Sequence, residues 1–435
     1  MTSLTKAVKS TTIASSTTVR PPVYNDAEAL RLQQGLSDAW SPAMFDEYLS
    51  KMGKYCDPER CKGHAYQPVI IPPSMRDEAF AAAQNIVTTL EKQNIPVLCA
   101  DAVPGMYQTR EPPKRLPGAI CIDFAVTAEG LKLIEFEGTG NYYGFAQAAA
   151  EAWISILANI PGMPQEWSFL HGDKSIAEFQ DLTRRCMFGT HTPQECAITD
   201  IGLATQKTGF DFQATHQIYD IPLVDLEALT QKGDTLLRPN PDGKGEPIPV
   251  RRVYYRPLAD EIRQKEPTLH YDLKTLSTEW FPNPGDQLLW SKGTMVHLHG
   301  HPNVPQTIIL SEASEAMLAG DLSKYVLKRL GGYGGTSVVL KVTPEDIESI
   351  PVAERNSWCL QEKIVYDTWL MTCSKDKKRK VGTELRVIMV RDPADETRMI
   401  PTYIMPRCYG KNTGIRPTIA LWPRMAQSLP TMKRL

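Results

Sequence analysis

The chain has 435 residues, 42% of them hydrophobic and 23% charged, and its formal net charge at pH 7 is −2. A chain of this length is expected to form two or three subdomains, and its ordinary composition predicts a globular protein. It has no long basic run, which argues against nucleic acid as a partner. No window reaches the roughly 18 apolar residues that a membrane-spanning helix requires, which argues against a membrane.

The N-terminus and the cysteines bear on location. Residues 1–20 are rich in Ser and Thr and contain basic but no acidic side chains, which predicts a disordered tail over residues 1–22. An organellar transit peptide is the alternative. The nine cysteines are odd in number and scattered, as in a cytoplasmic protein with reduced thiols. Cys56, Cys61 and His64 have a spacing that zinc tolerates, but no second Cys/His pair follows at a matching distance.

Helix and strand patterns alternate along the next part of the chain. Residues 72–93 show helical spacing of apolar side chains, with Ser74 as the expected N-cap. Two alternating apolar runs around a turn at residues 128–130 predict a hairpin, and a helix is expected from Tyr143. From Cys196 onward, short apolar strands alternate with helix starts, which is typical of a small α/β lobe.

The final third is predicted to be rich in strands. Residues 324–340 (KYVLKRLGGYGGTSVVL) indicate two strands around a glycine-rich turn. Thr343 and Asp346 have the spacing of a capping box, which predicts that a helix starts there. Residues 358–370 and 384–392 indicate further strands.

Three carboxylates on the hairpin are expected to converge. If its loop has three residues, Thr127 pairs with Leu131, and counting back places Asp123 opposite Glu135. Side chains alternate between the two faces of a strand, so Glu137 shares the face of Glu135. The three acids are therefore expected to form one patch.

Such a patch needs a neutralising group, because like charges that face one another across strands are destabilising. Lys132 is expected on the opposite face from Glu135. A ligand set made only of oxygen atoms favours magnesium or manganese, so the three acids are predicted to bind a divalent cation. A solvated hairpin face with lysines nearby is the alternative.

A lysine-bearing strand runs into the glycine-rich turn. It delivers Lys328, and glycines at 331, 332, 334 and 335 would let backbone N–H groups approach an anion closely. The turn is not a P-loop, because no lysine precedes Thr336. It is not a protein-kinase loop, because the strand lysine comes before the glycines. An ordinary tight hairpin is the alternative.

The segment Trp358–Ile364 combines an apolar strand with a polar edge. Its main chain is suited to hydrogen-bond an adenine, with Gln361 or Glu362 alongside. A plain core strand has the same pattern, so this segment alone does not decide between the two.

Together these segments resemble the ATP-grasp superfamily, in the circularly permuted branch that includes the synthetase domain of glutathionylspermidine synthetase. IDFAVTAEGLKLIEFEG is similar to the acidic segment of that branch, an Asp-Phe pair followed after a spacer by L-L-E-x-N, and AQAAAEAW resembles the next helix. YVLKRLGGYGGTSVVL resembles the lysine strand and the flap over the phosphates, and LLWSKGTMV the segment with an earlier nucleotide-binding lysine. WCLQEKI is similar to the adenine hinge, and GTELRVIMV to the strand after it. The acids precede the lysine strand, as in the permuted branch, and the resemblance spans roughly Gly118 to Val390.

Two residues depart from the pattern of the branch. Glu137 stands where the branch usually has Asn, and Cys121 takes the place of an Arg near the reacting phosphate. The cation that would stabilise an acyl phosphate is therefore unassigned. Arg115, Arg256 and Arg386 are candidates, and Arg386 is preferred for its strand setting.

The resemblance implies a mixed α/β (α+β) fold, an ATP-grasp core in circularly permuted order. A small α/β lobe would be inserted between the metal-site hairpin and the lysine strand with its flap. The expected units are the tail (1–22), N-terminal helices with the hairpin (23–185), a substrate lobe (186–285) and nucleotide-binding lobes (286–435).

The resemblance also implies an ATP-dependent ligase that joins an amino acid or small peptide to an amine through an acyl phosphate. ATP and one or two Mg²⁺ ions, with Mn²⁺ able to substitute, are the implied cofactors, and a small-molecule carboxylate and amine are the implied partners. The implied site residues are the metal ligands Asp123, Glu135 and Glu137, the nucleotide contacts Lys292, Lys328, Gly332, Tyr333, Gly334, Gly335, Gln361, Glu362, Lys363 and Ile364, and the catalytic cations Arg386 and Arg256. A regulatory nucleotide-binding protein, favoured by Cys121, and a phosphotransferase are the alternatives.

Overall fold

The computed structural model of the protein describes residues 26–93, 105–330, 338–367, 370–373, 378–409 and 416–424. The predicted tail over residues 1–22 and the flap residues 332–335 lie outside these ranges.

The α-helices of the described residues are α1 (Ala27–Ala39), α2 (Pro42–Met52), α3 (Pro73–Lys92), α4 (Tyr143–Leu157), α5 (Ile176–Phe188), α6 (Gly209–Tyr219), α7 (Ala259–Lys265), α8 (Asp286–Leu289), α9 (Glu315–Leu318) and α10 (Pro344–Glu348). The strands of the first half are β1 (Val69–Ile70), β2 (Ala119–Thr127), β3 (Gly130–Glu137), β4 (Trp167–Ser168), β5 (Cys196–Asp200), β6 (Leu223–Asp225), β7 (Thr230–Lys232), β8 (Thr235–Arg238), β9 (Ile248–Val250) and β10 (Arg252–Tyr255). Those of the second half are β11 (Glu279–Phe281), β12 (Thr307–Ile309), β13 (Tyr325–Arg329), β14 (Val338–Val339), β15 (Trp358–Glu362), β16 (Leu370–Cys373), β17 (Lys378–Arg391), β18 (Met399–Tyr409), β19 (Arg416–Pro417) and β20 (Ala420–Pro423).

The main sheet is antiparallel, with strand order β19-β18-β17-β2-β3 and β16 paired to β17. Every residue of β2 is buried, because β2 lies between β17 and β3 and helices cover both faces of the sheet. Ile122 and Phe124 belong to the hydrophobic core that includes α3, whereas Ala119 and Cys121 belong to the core that includes α4. Alternation along β2 thus directs side chains into two cores, and Asp123 lies on the α4 side.

The β2–β3 hairpin differs from the expected one in its turn and in a bulge. Thr127 pairs with Gly130, so the predicted pairing of Thr127 with Leu131 is wrong. Asp123 nevertheless pairs with Glu135, as predicted, because the register shifts by one residue between Phe124 and Asp123 and leaves Ile134 as the extra residue of β3.

The bulge has a second consequence. Lys132 pairs with Ala125, two residues from Asp123 on β2, so it lies on the face of the acids and not on the opposite face as expected. Its Nζ donates to the carbonyl of Pro302, at 3.1 Å, and it is exposed in part. The lysine is therefore used to fasten the hairpin to a neighbouring loop.

A parallel sheet with order β11-β10-β5-β6 follows in the middle of the chain. The alternation of strands and helices predicted from Cys196 is present here, with α6 and α7 between the strands. Gly144 in α4 permits close packing against α6, since a Cβ at that position would lie 2.2 Å from the backbone nitrogen of Thr215. This contact fastens the parallel sheet to the helix that leaves the hairpin.

A second antiparallel sheet, with order β12-β15-β13-β14, carries the predicted lysine strand. It has a small hydrophobic core of its own, which includes Leu327 and Leu360. Lys328 on β13 pairs with Cys359 on β15 and with Val338 on β14. The sheet thus presents Lys328 from its middle strand.

Helix starts agree with the sequence in part. The helix from Tyr143 and the capping box of Thr343 and Asp346 are confirmed. The N-cap assigned to Ser74 is wrong, because α3 already begins at Pro73, a residue suited to the first helical position. Across the described residues, no helix has the length and apolarity needed to cross a membrane.

The buried carboxyl of Asp286 is expected to make stability depend on pH. Its Oδ2 accepts hydrogen bonds from the backbone N–H of Gly118 at 2.8 Å and of Asn283 at 3.1 Å, while Oδ1 has no partner among the described residues. Burial raises the pKa of Asp286 to about 7. In the unfolded chain the pKa of an Asp is about 4, so between about pH 4 and pH 7 the unfolded chain binds fewer protons than the folded one. The contribution of Asp286 to stability is therefore complete below about pH 4 and is lost as the pH rises to about 7.

Asp286→Asn should remove this contribution, which amounts to at most about 1.4 kcal/mol per pH unit in that window. Urea unfolding at several pH values measures the slope for both proteins. Burial also raises the pKa of Asp200 to about 7, so a shallower slope should remain in the variant. An identical slope in the variant and the parent would show that Asp286 is ionised throughout.

Candidate active site

Acidic and basic side chains from several elements meet on the α4 side of the main sheet. Direct cross-strand pairs join Asp123 to Glu135, Arg386 to Asp123, and Glu384 to Arg407. Lysines reach the same place from outside the sheet. The charge cluster, as we call it, consists of the acids Asp123, Glu135, Glu137 and Glu384 and the bases Lys292, Lys328, Arg386 and Arg407.

Asp123 is held by two arginines. Arg386 makes a bidentate contact, with Nε to Oδ1 and Nη2 to Oδ2 both at 2.7 Å, and Nη2 of Arg407 lies 2.5 Å from Oδ2. Burial alone would raise the pKa of Asp123, but Arg386 and Arg407 lower it below its ordinary value. The two guanidiniums keep this fully buried carboxylate ionised.

The two glutamates of β3 have weaker partners. Oε2 of Glu135 lies 3.0 Å from Nζ of Lys292, and Oε2 of Glu137 lies 3.9 Å from Nη2 of Arg386. Burial raises the pKa of Glu137, and the neighbouring Glu135 and Asp123 raise it further. The charged form of Glu137 is therefore poorly compensated by its surroundings.

Lys328 connects the second antiparallel sheet to the hairpin. Its Nζ donates to the backbone carbonyl of Ile134 at 3.0 Å and to Oε1 of Gln361 at 2.6 Å. Ile134 is the bulge residue, so the bulge supplies the carbonyl that fixes the lysine. Burial lowers the pKa of Lys328. Gln361 is itself held by a hydrogen bond from its Nε2 to Oγ1 of Thr307 at 3.2 Å.

Sequence reasoning missed Arg407 and Glu384. Nη2 of Arg407 lies 2.7 Å from Oε2 of Glu384, whose Oε1 accepts from the hydroxyl of Tyr366 at 2.9 Å. Burial raises the pKa of Glu384, and Arg407 opposes that rise. The sequence signal for Arg407 was an arginine within a late apolar strand. Its partner Glu384 can be identified only from the register of β17 and β18.

The three predicted metal ligands differ in how firmly their carboxylate oxygens are already bound by other side chains. No group of three or more His, Cys, Asp or Glu residues among the described side chains is arranged to hold a metal ion. Both oxygens of Asp123 are engaged by arginines, whereas Glu135 and Glu137 are each fastened through one oxygen only. Carboxylate oxygens are the ligands that magnesium prefers, and the roles of Glu135 and Glu137 as magnesium ligands stay predictions. Asp123 would fit only after losing an arginine, and its role as a ligand stays a prediction.

The candidate cations lie in different settings. Arg386 is in the charge cluster, whereas Arg115 is exposed and contacts Glu91. Arg256 is buried and pairs with Asp211, with Nη1 2.9 Å from Oδ2. Asp211 also accepts the backbone N–H of residues 142 and 145, so this pair fixes the start of α4. A catalytic role for Arg256 stays a prediction.

The side chain of Cys121 supplies no positive charge at its position on β2. Its Sγ lies 3.0 Å from the carbonyl of Thr139 and 3.5 Å from Oδ1 of Asn141. Burial raises the pKa of this thiol to about 12. The thiol is therefore neutral at pH 7, and the positive charge next to Asp123 comes from β17 and β18.

The predicted adenine hinge lies at the end of β15. The backbone N–H of Glu362 donates to Gln306 O at 2.8 Å, and that of Lys363 donates to Lys324 O at 2.7 Å. Lys363 and Glu362 are exposed, and Ile364 is partly buried. Beyond them the chain crosses to the main sheet, where Asp367 N–H donates to Val126 O at 2.9 Å. The four predicted flap residues lie outside the described residues.

Comparison with solved structures shows a shared fold. The chain is similar to a glutathione synthetase-like effector from Globodera pallida in its apo form, with a TM-score of 0.53 and 10% sequence identity over 87% of this chain and 96% of that chain. A putative gamma-glutamylcysteine synthetase from Methylobacillus flagellatus KT matches with a TM-score of 0.32 and 11% identity over 77% of this chain and 84% of that chain. No family model and no curated protein matches the sequence. The likeness to the effector shows that the two chains have a similar fold.

Proposed function

We propose that the protein is an ATP-dependent carboxylate–amine ligase that forms an amide through an acyl phosphate and releases ADP and phosphate. The main support is the convergence of two lysines and two arginines on the acid-bearing β2–β3 hairpin. The circularly permuted ATP-grasp order, with its resemblance to glutathionylspermidine synthetase, is part of the proposal.

The charge cluster suits a ligand that carries both signs of charge. Most of its charges are paired, such as Lys292 with Glu135 and Arg407 with Glu384. Lys328 is instead bound by two neutral oxygens, those of Ile134 and Gln361. A magnesium–phosphate ligand would replace these pairs with matching ones, so that no charge is left buried without a partner. A free cation or a free anion would leave one sign uncompensated.

The residues have distinct proposed roles. Glu135 and Glu137 would hold Mg²⁺, with Asp123 as a further ligand if an arginine moves, and the ion would neutralise phosphate oxygens. Lys292 and Lys328 would bind phosphate oxygens, and Arg386 would orient the anionic substrate. Positioning and charge neutralisation of this kind account for most of the catalysis of phosphoryl transfer.

The nucleotide base and the flap complete the proposed site. The main chain at Glu362–Ile364 would contact the adenine, and Gln361 would position Lys328 through the hydrogen bond that joins them. Gly332, Tyr333, Gly334 and Gly335 would close over the phosphates and exclude water, which hydrolyses acyl phosphates. The proposed partners are small molecules rather than nucleic acid or a membrane, and the proposed location is the cytoplasm.

A screen of amino acids and small peptides with Mg-ATP tests the proposal. ADP is measured by a coupled assay, and amides are detected by their mass. We expect ADP only when a carboxylate and an amine are both present. ADP release with the carboxylate alone, and without amide, would identify a phosphotransferase instead.

A regulatory nucleotide-binding protein without turnover is the second candidate. Two observations favour it: both oxygens of Asp123 are occupied by arginines, and a neutral thiol stands at Cys121. Tight binding of Mg-ATP without ADP release, for every pair of substrates in the screen, would select this candidate over the ligase.

A further inference from the structure

A pair of buried cysteines lies away from the charge cluster. Sγ of Cys56 is 3.4 Å from Sγ of Cys61, and both side chains are buried. Cys56 follows α2, and Cys61 ends a short 3₁₀ helix, Pro58–Cys61. A closed disulfide has an S–S bond about 2 Å long, so the two sulfur atoms need to move only a short distance to form one.

The surroundings hold the two thiols together. His64 is buried, and its backbone N–H donates to the carbonyl of Cys61 at 2.9 Å. Its Nδ1 is 2.8 Å from the hydroxyl of Tyr48, and its ring packs edge-on against Phe145 and Phe210. His64 is thus committed to the core, and no metal-binding group of three is formed with the cysteines among the described residues. The thiols face each other, which leaves redox chemistry as their available reaction.

We propose that Cys56 and Cys61 form a reversible disulfide with a small-molecule disulfide as the oxidant. Cys56, which retains slight exposure, attacks the oxidant and releases one thiol. Cys61, which is fully buried, then attacks the Cys56 sulfur of the mixed disulfide and releases the second thiol. Two protein thiols lose two electrons and two protons, and one disulfide is reduced to two thiols.

The two thiols differ in a way that agrees with these roles. The hydrogen bond between the two thiols lowers the pKa of Cys56 and raises the pKa of Cys61. The more acidic thiol is therefore the one that is nearer to solvent, as expected for an attacking cysteine.

The loop between the cysteines is fastened to the start of α6. Nη1 of Arg60 donates to the carbonyl of Gln206 at 3.1 Å, Nη2 of Arg60 donates to that of Ala204, and the N–H of Asp57 donates to Oε1 of Gln213 at 2.9 Å. α6 carries Asp211, the partner of Arg256. Closing the disulfide constrains the loop, and these contacts transmit the constraint to residues 204–213.

Oxidation of the full chain in mixtures of reduced and oxidised glutathione tests the proposal, which does not depend on the proposed function. Free thiols are blocked with N-ethylmaleimide, and tryptic peptides are identified by mass. We expect the Cys56–Cys61 disulfide to form in the native chain at a ratio of oxidised to reduced glutathione at least about ten times lower than the ratio needed in urea. The reason is that the fold holds the two sulfur atoms together. Oxidation that is harder in the native chain than in urea would overturn the proposal.

Variants separate the two roles. Cys61→Ser should accumulate a glutathione mixed disulfide on Cys56, whereas Cys56→Ser should form neither product. Cys196→Ser, at another buried thiol, should oxidise like the parent. A mixed disulfide on Cys61 in the Cys56→Ser variant would contradict the order of attack.

Hydrogen exchange tests the link to α6. Exchange at residues 204–213 should slow when the parent is oxidised, and it should not respond to oxidation in Cys56→Ser. Unchanged exchange there in a fully oxidised parent would show that the disulfide is local and would overturn the transmitted effect.

Discussion

Replacing Asp123 with alanine is expected to lower the free energy of unfolding by about 3–5 kcal/mol. The substitution leaves Arg386 and Arg407 without the carboxylate that binds both of them, and Arg386 is buried. Two like charges then face each other in a place of low polarity. Urea unfolding at pH 7 measures the loss.

Asp77→Ala is the matched control, because the exposed carboxylate of Asp77 also contacts an arginine, with Nε of Arg76 at 2.7 Å. It should change stability by at most about 1 kcal/mol. Adding Arg386→Met to Asp123→Ala should restore part of the loss, since the buried charge is then removed. A loss for Asp123→Ala no larger than that of the control would mean that water reaches the arginines.

Glu135→Gln is expected to lower turnover by at least about 100-fold, by analogy with the removal of one electrostatic contact in other active sites. The amide retains an oxygen for Lys292 but lacks the charge that magnesium and the phosphates require. Stability should fall by only about 1 kcal/mol, because Glu135 is partly exposed and the size is unchanged. ADP production with a carboxylate–amine pair measures the first effect, and thermal unfolding the second.

Glu129→Gln, at the exposed turn of the same hairpin, should leave both quantities unchanged. The comparison separates a catalytic effect from a structural one. If Glu135→Gln unfolded the protein while the parent bound no magnesium, the acids would be structural. If it kept full turnover, Glu135 would not contact the cofactor.

The β2–β3 hairpin shows which features of the site can be predicted from the sequence. Alternation along β2 and β3 predicts the two strands, but it does not by itself fix the pairing of Asp123 with Glu135. The two-residue turn and the bulge at Ile134 shift the register in opposite directions, so the pairing of Asp123 and Glu135 is right and that of Thr127 and Leu131 is wrong. The carbonyl of the bulge residue Ile134 accepts a hydrogen bond from Lys328, which is distant in sequence, and local patterns do not contain such contacts.

The arginines show where the sequence falls short. Arg386 could be proposed because it lies in an apolar strand that resembles a family segment. Arg407 could not be proposed, because its place in the site follows from its position opposite Glu384 on the neighbouring strand. The register of β17 and β18 shifts between Ile388 and Met389. Without the sheet order, nothing in the sequence places β18 near Asp123.

Calorimetric titration of the protein with a non-hydrolysable ATP analogue, in the presence and absence of Mg²⁺, tests directly whether the charge cluster binds a magnesium–nucleotide complex. We expect binding that requires Mg²⁺ and is weakened strongly by Lys328→Met. Lys324→Met, at an exposed lysine just before the same strand, should leave binding unaffected. No binding of the nucleotide by the parent protein, with or without Mg²⁺, would contradict this expectation.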